Sequence, residues 1–351
     1  MHIGIAGAGL LGRLLAFELA RAGHRVEVFD PAADAATRTA AGWTAAGMLS
    51  PVAELECANE DVFALGLRSL ELWPQIVAAL GEQGTPVAMH QRGSLLLAHR
   101  GDEGAARRVV DLLMRKAPNG HAPQMLDAAK LRELEPAIQG PTHAWLLPQE
   151  GQIHTVQVMA ALGAAGVARG VHWHWGEAVT AIRPGCLLTA SGDHHFDHVF
   201  DVRGTGARPE LPVRGVRGEI LWLHAPGVVL NRPLRLLHPR HRVYLVPRQD
   251  DIIVVGASEI ESEDRSPISL RSTVELLAAA HSVMPELAEA RVVHTETNLR
   301  PALPDNLPHV GQVVGQVPGL TRINGLFRHG WLIAPALVEQ VLVSLNEVQT
   351  A

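Results

Sequence analysis

Cysteine occurs twice in 351 residues, as Cys57 and Cys186, and never in a CxxC pair. Two isolated thiols build no disulfide scaffold, and both are expected to be buried apolar side chains. No apolar run reaches the ~18 residues that a bilayer span requires. No basic stripe interrupts the balance of 30 Lys and Arg against 36 Asp and Glu, net charge −6, which argues against a general nucleic-acid binder. Internal repeats and low-complexity linkers are absent too. The first strand begins at His2, leaving no room for a signal peptide, so a cytoplasmic location is the expectation by elimination. What is abundant is apolar residue, 47% of the chain. That suffices for a sizeable core and disfavours disorder. The length suggests two domains, or one large α/β domain with an insertion.

The N-terminus carries the clearest pattern. His2 to Ala6 is a short apolar strand, followed by Gly7-Ala8-Gly9-Leu10-Leu11-Gly12. Leu10, Leu11, Leu14, Leu15 and Leu19 continue at helical spacing, and Gly23 ends the helix. Arg25 to Phe29 is a second strand, closed by Asp30. Each glycine has a reason. Gly7 lets the chain turn sharply, Gly9 leaves room for a pyrophosphate, and Gly12 lets helix and sheet pack closely. The helix N-terminus offers free N–H groups and partial positive charge to phosphates. Asp30 lies about 20 residues on, where a carboxylate binds ribose hydroxyls and disfavours the 2′-phosphate of NADP. Strand, helix, second strand and acid together predict a bound dinucleotide. The fingerprint alone does not separate FAD from NAD.

Beyond it, Ala40 to Pro51 is a small-residue stretch that either lets backbone approach a flat ligand or is a plain flexible loop. Spacing predicts helices over 61–83, 102–116, 126–135, Val156–Ala168 and 269–283, and strands over Arg92–Ala98, His198–Val202, Glu219–His224, Arg242–Val246 and Ile252–Ala257. The later strands are joined by short turns, which predicts a largely antiparallel second layer. Val171 to Trp175 alternates, with Trp173 and Trp175 on one face and His172 and His174 on the other. With no Cys or acidic partner at ligand spacing, that histidine face is expected to be solvated. Asp193, His194, His195 and His198 are expected on a hairpin. No metal site is assigned.

Tyr244-Leu245-Val246-Pro247-Arg248, Val255 to Ser258, Leu299-Arg300-Pro301 with Asp305 and Pro308, and Gly325 to Pro335 follow in order. With the fingerprint and the Trp43–Ser50 loop, the chain resembles the D-amino acid oxidase-like FAD oxidoreductases over its whole length, most closely the glycine oxidases of thiamine biosynthesis. The resemblance implies an α/β fold, a Rossmann-type FAD-binding domain interleaved with an antiparallel-sheet substrate domain. Residues 1–85, 145–215 and 301–351 would form the first and 86–144 and 216–300 the second. It implies that Ala45, Ala46, Gly47 and Met48 pass the flavin, that Val179 meets the adenine side, and that Gly204 and Gly206 line the FAD cleft. Arg328, His329, Gly330, Trp331 and Leu332 would open the last helix beneath the flavin, whose reduced charge a helix N-terminus stabilises. Arg300 would clamp a substrate carboxylate, with Tyr244 bonding to it and Arg328 nearby. Arg203, Asn298, Asn306, His329 and Glu259 depart from the family's pattern.

The chemistry so implied is oxidation of the C–N bond of glycine or another small amino acid or amine to an imine, with O2 or another electron acceptor. A planar guanidinium fork suits the carboxylate, and no triad or metal is needed. A D-amino acid or sarcosine-type oxidase or dehydrogenase on the same fold is the alternative. A non-catalytic flavin-binding protein is the alternative of a different class, and a homo-oligomer is left open. An FAD domain acting on modified tRNA shares the features but not the charge. An NAD-dependent dehydrogenase would share only the first thirty residues.

Overall fold

The computed structural model describes residues 1–118, 120–238, 242–311 and 319–350. Two large sheets organise them. The first has six strands in the order His309–Gly311, Leu320–Asn324, His198–Asp201, His2–Ala6, Arg25–Asp30, His172–Trp175. All pair in parallel except the first two. Parallel neighbours need a crossover, and the helix Leu10–Arg21 supplies the one between the first two strands in sequence.

Alternation along His2–Ala6 assigns the sheet's faces. Ile3 and Ile5 point into a core shared with Leu10–Arg21, Thr155–Ala168 and the C-terminal helix Gly330–Thr350. Ala6 on the opposite face joins Phe29, Val199 and Leu187 under a small sheet of Ala181–Arg183, Cys186–Thr189 and Gly192–His195. A Cβ at Gly4 would strike the Phe196 ring at 2.5 Å, so the covering hairpin requires glycine there.

The second sheet has eight strands: Arg291–Ala302, Arg214–His224, Ile252–Gly256, Arg242–Pro247, Leu234–Leu237, Ser94–Ala98, His143–Leu147 and Gln124–Leu126. It is antiparallel except where Leu234–Leu237 runs beside Ser94–Ala98. The helix Leu270–Val283 packs Leu276, Ala280 and Val283 into the core on one face. This is the α/β class expected, a parallel Rossmann-type sheet with an antiparallel second layer.

Arg13 joins distant segments of the first core. Its guanidinium is buried and donates to the carbonyls of Ala8, Ala35 and Met159 at 2.8, 2.8 and 2.9 Å. The rings of Trp43, Trp173 and Trp175 lie within 6 Å of it. Desolvation lowers its pKa to about 10, against the raising influence of Asp30.

Three expectations need correction. The stretch Ala40–Pro51 is not plain loop. It holds a helical turn Ala41–Thr44 and a short strand Met48–Leu49 paired with Gly151 and Gln152, and it runs into a turn of helix Pro51–Glu54. Gly47 makes this feasible, since at φ +69° any Cβ would lie 2.2 Å from the Ile153 carbonyl oxygen. His198 belongs to the parallel sheet rather than to the hairpin, buried with Nε2 2.9 Å from the Thr321 hydroxyl. Cys186 is buried, but Cys57 is exposed, its Sγ accepting from Arg242 at 2.7 Å.

Candidate active site

A cavity of about 1100 Å³ runs between the two sheets. One end is the fingerprint. Gly7 has φ +105°, where side chains are strained, and a Cβ at Gly12 would sit 1.8 Å from the Gly7 carbonyl oxygen. Gly12 therefore serves the turn and does not line the cavity, whereas Gly7, Gly9, Leu10 and Leu11 do. Gly9 opens the helix with no side-chain cap, so the first-turn N–H groups keep their capacity for an anion. Asp30 also lines the cavity. Its carboxylate accepts from the N–H of Ala8 at 2.6 Å and of Ala32 at 2.8 Å, one on each oxygen. A carboxylate offers about four lone-pair sites, so acceptor capacity remains for a diol.

The middle of the cavity is backbone. Ala45, Ala46, Gly47 and Met48 line one side. Their carbonyls are engaged by the protein: Ala45 by the Thr155 hydroxyl at 2.9 Å, Ala46 by Arg248, Gly47 by the Ile153 N–H at 2.9 Å. Val179, Gly204 and Gly206 also line it, as do Arg328, Gly330, Trp331 and Leu332 at the start of the last helix. Trp331 is fixed by its indole N–H on the Gly42 carbonyl, 3.0 Å, and by stacking on Trp73. His329 does not line the cavity. It is buried beneath it, with Nδ1 3.2 Å from Glu54. An extended, glycine-walled cleft with a free helix N-terminus, an acid at the second strand and a second helix start has the donors and the room for a flavin dinucleotide.

The other end is built from the antiparallel sheet. Tyr244 sits opposite Gly256, and its hydroxyl occupies the space a Cβ there would fill. Burial raises the phenol's pKa, against the lowering influence of Arg300, Arg235, Arg328 and Arg248, so it stays a neutral donor at physiological pH. Arg300 lies in the edge strand Arg291–Ala302, separated by two strands from that of Tyr244, and donates to the carbonyl of Ser258 at 3.0 Å. Its neighbours are neutralised differently. Arg235 meets Glu54 at 2.6 Å, Arg242 meets Glu56 at 3.0 Å, and Arg328 meets Glu54 at 3.1 Å and Glu259 at 3.6 Å. Among the described residues, no carboxylate lies within 4 Å of Arg300. Burial lowers its pKa while Tyr244, Glu259 and Glu54 raise it, and it remains a cation whose charge is left for a ligand.

Glu54 was not legible as a site residue. Burial alone would raise its carboxyl, but Arg328, Arg235 and His329 hold it well below the ordinary range. Its partners lie far along the chain, and a PVAE turn carries no signal of them. Arg248 was legible only as a motif member. It is half-buried, its pKa lowered to about 10 by desolvation, and it holds Gln152 at 3.0 Å as well as the Ala46 carbonyl.

The departures from the family's pattern are accommodated. Asn298 donates to the Ala40 carbonyl at 3.1 Å and to the Thr44 hydroxyl at 3.2 Å, fixing the small-residue turn. Asn306 adopts φ +59°, which asparagine tolerates, and accepts from Arg214 at 2.7 Å. Arg203 pairs through both ends of its fork with the buried Asp201, 2.9 Å each. Glu259 is half-exposed at the cavity edge.

The family model described as FAD dependent oxidoreductase (DAO) matches residues 2–341. The chain is 38% identical to a thiamine biosynthesis oxidoreductase, ThiO, of Rhizobium etli over 97% of this chain and 95% of the relative. It is 27% identical to a glycine oxidase of Geobacillus kaustophilus over 95% and 89%. Superposed on the crystal structure of glycine oxidase from Geobacillus kaustophilus it reaches a TM-score of 0.86, covering 98% of this chain and 94% of that one at 26% identity.

Proposed function

The chain belongs to the family of FAD-dependent oxidoreductases and is an FAD-dependent enzyme, and on that premise we propose that it oxidises the C–N bond of glycine or a similarly small amino acid. The products are the imine and, with dioxygen as electron acceptor, hydrogen peroxide. The observation that carries the reading is Arg300: a half-buried guanidinium lining the cavity with no carboxylate within 4 Å among the described residues, while Arg235, Arg242 and Arg328 in the same lining are each matched with one. The glycine-oxidase relatives favour glycine among small amino acids.

FAD, when bound, supplies the two-electron acceptor. Gly7, Gly9, Leu10, Leu11 and Asp30 would hold its dinucleotide end, with Val179, Gly204 and Gly206. Ala45 to Met48 and Arg328 to Leu332 would hold its ring end. Arg300 binds the substrate carboxylate and so fixes which face of Cα is presented. Tyr244, a neutral phenol, donates a second hydrogen bond to the same carboxylate. Arg328, tied to Glu54 and Glu259, borders the pocket and limits its size. The walls exclude water from the reacting C–N bond. In this division of labour, residues 1–85, 145–215 and 301–351 serve the cofactor and 86–144 and 216–300 the substrate.

The test is anaerobic mixing of FAD-loaded protein with glycine, sarcosine and a series of D-amino acids, following flavin absorbance. Bleaching by glycine, with peroxide formed on admitting air, is the expected result. Faster bleaching by a bulkier D-amino acid would move the substrate. A flavin that no amine reduces would overturn the amino-acid substrate.

A further inference from the structure

On the sheet face away from the C-terminal helix, parallel pairing brings together residues that sequence spacing keeps apart. Glu27 pairs with His172, and His174 is the next residue but one. The acidic partner missing from the neighbourhood of His172 and His174 in sequence thus arrives from the adjacent strand. A carboxylate oxygen of Glu27 and one ring nitrogen from each histidine lie within 4.8 Å of one another. From the first strand, Nε2 of His2 stands 2.9 Å from Oε1 of Glu27 and helps to position that carboxylate. Nε2 of His174 is 2.9 Å from Oε2.

We propose that Glu27, His172 and His174 form a binding site for a divalent transition metal, best matched by Zn(II) with water in the fourth position. Imidazole nitrogen and carboxylate oxygen are its usual ligands, at about 2.0–2.2 Å in tetrahedral array. Donors on such an ion stand about 3.3 Å apart, and an ion lying in the plane of both imidazoles requires the exposed His172 ring to turn out of its stack on His174.

Three further observations support the site. The His174 ring is held in place, stacked on Phe29 at 4.1 Å. Its other nitrogen, Nδ1, faces Glu177 at 3.7 Å, and Glu177 is itself anchored by the hydroxyls of Thr189 and Ser191. A carboxylate behind a ligating imidazole fixes its tautomer and raises its basicity. Among the described residues the competing arginine is Arg25, which reaches Oε1 of Glu27 at 3.0 Å but is 72% exposed and free to swing into water. The strand then continues into Gly176 and Glu177, whose N–H groups bond to the carbonyls of Ala32 and Asp30, and on to Val179 in the cavity wall. A bound ion would clamp this edge strand beside the cavity.

The experiment is isothermal titration of chelator-treated, FAD-loaded protein with Zn(II). One saturating site per chain is expected, with a rise in melting temperature. His172→Gln, His174→Gln and Glu27→Gln should each weaken it by about tenfold or more, with flavin content unchanged. Absence of a saturating site in the wild type, or binding that these variants leave intact, overturns the proposal. Should Glu27→Gln fail to fold, the exposed His172→Gln decides alone.

Discussion

A Cβ on Gly218 would stand 2.5 Å from Nη1 of Arg300 and 2.6 Å from its Cζ and Nη2. The two residues lie on paired antiparallel strands, where Val216 faces Arg300 and Gly218 faces Asn298. The guanidinium occupies the room that the missing side chain leaves. Gly218→Ala should therefore displace Arg300 without touching the fingerprint. Steady-state kinetics should show a fall in kcat/KM for the amino acid at normal FAD content. A variant with unchanged kinetics would mean that Arg300 works from a different position.

Arg300→Lys keeps the charge and loses the fork. In a dry pocket that change should cost about 2–5 kcal/mol in kcat/KM. The comparison to make is stopped-flow flavin reduction by an amino acid and by its decarboxylated amine. The amine should be a poor substrate for the wild type and nearly indifferent to the mutation. Equal rates for both proteins with the amino acid would exclude Arg300 as the clamp.

Asp30→Ala should weaken FAD binding by about 1–3 kcal/mol, the scale of hydrogen bonds to a charged group. Because the carboxylate also holds the Ala8 and Ala32 N–H groups, Asp30→Asn should lose less, retaining one acceptor. Titration of apoprotein with FAD measures both. Equal affinity in all three proteins would remove Asp30 from the dinucleotide site.

His198 links stability to pH. Burial lowers its pKa from 6.5 to about 4 in the folded chain. Between those values the unfolded chain binds the proton and the folded chain does not. Stability should accordingly be full above pH 6.5 and fall as pH drops toward 4, by up to roughly 3 kcal/mol from this residue. Urea unfolding across that range should show a shallower acid slope in His198→Gln. Parallel slopes in the two proteins would assign the acid loss elsewhere, for instance to His154, whose pKa is also lowered to about 4.

Arg203→Ala should destabilise the protein by about 3–5 kcal/mol, because it strands the fully buried Asp201. The remaining cation, Arg322, is 3.6 Å away. Chemical denaturation measures the loss, and a change under 1 kcal/mol would show that Arg322 moves in to compensate.

Local pattern made much of this legible. The helix expected over 102–116 is Glu103–Lys116, and the one over 269–283 is Leu270–Val283. Both are amphipathic with good caps or charged ends. The fingerprint was legible because its glycines answer to backbone sterics within a few residues. Leu234–Leu237 and Arg291–Ala302 were not recognised as strands. The first is four residues of which Arg235 turns to Glu54. The second is largely polar and exposed over its first half, its order coming from pairing with Arg214–His224. Glu54 and Glu27 were missed for one reason: each acquires its meaning from partners well over a hundred residues away, which only the folded topology brings near.

Arg13 has a consequence for how the chain comes apart. The segments it bonds or stacks against begin at Ala8, Ala35, Trp43, Met159 and Trp173, and releasing any of them leaves a buried charge or carbonyl unsatisfied. Fraying is thereby penalised at several stations at once. Amide exchange in the early helix, the small-residue turn and the helix Thr155–Ala168 should share one opening event, so a sequence stitched from separated pieces melts there as a single cooperative block.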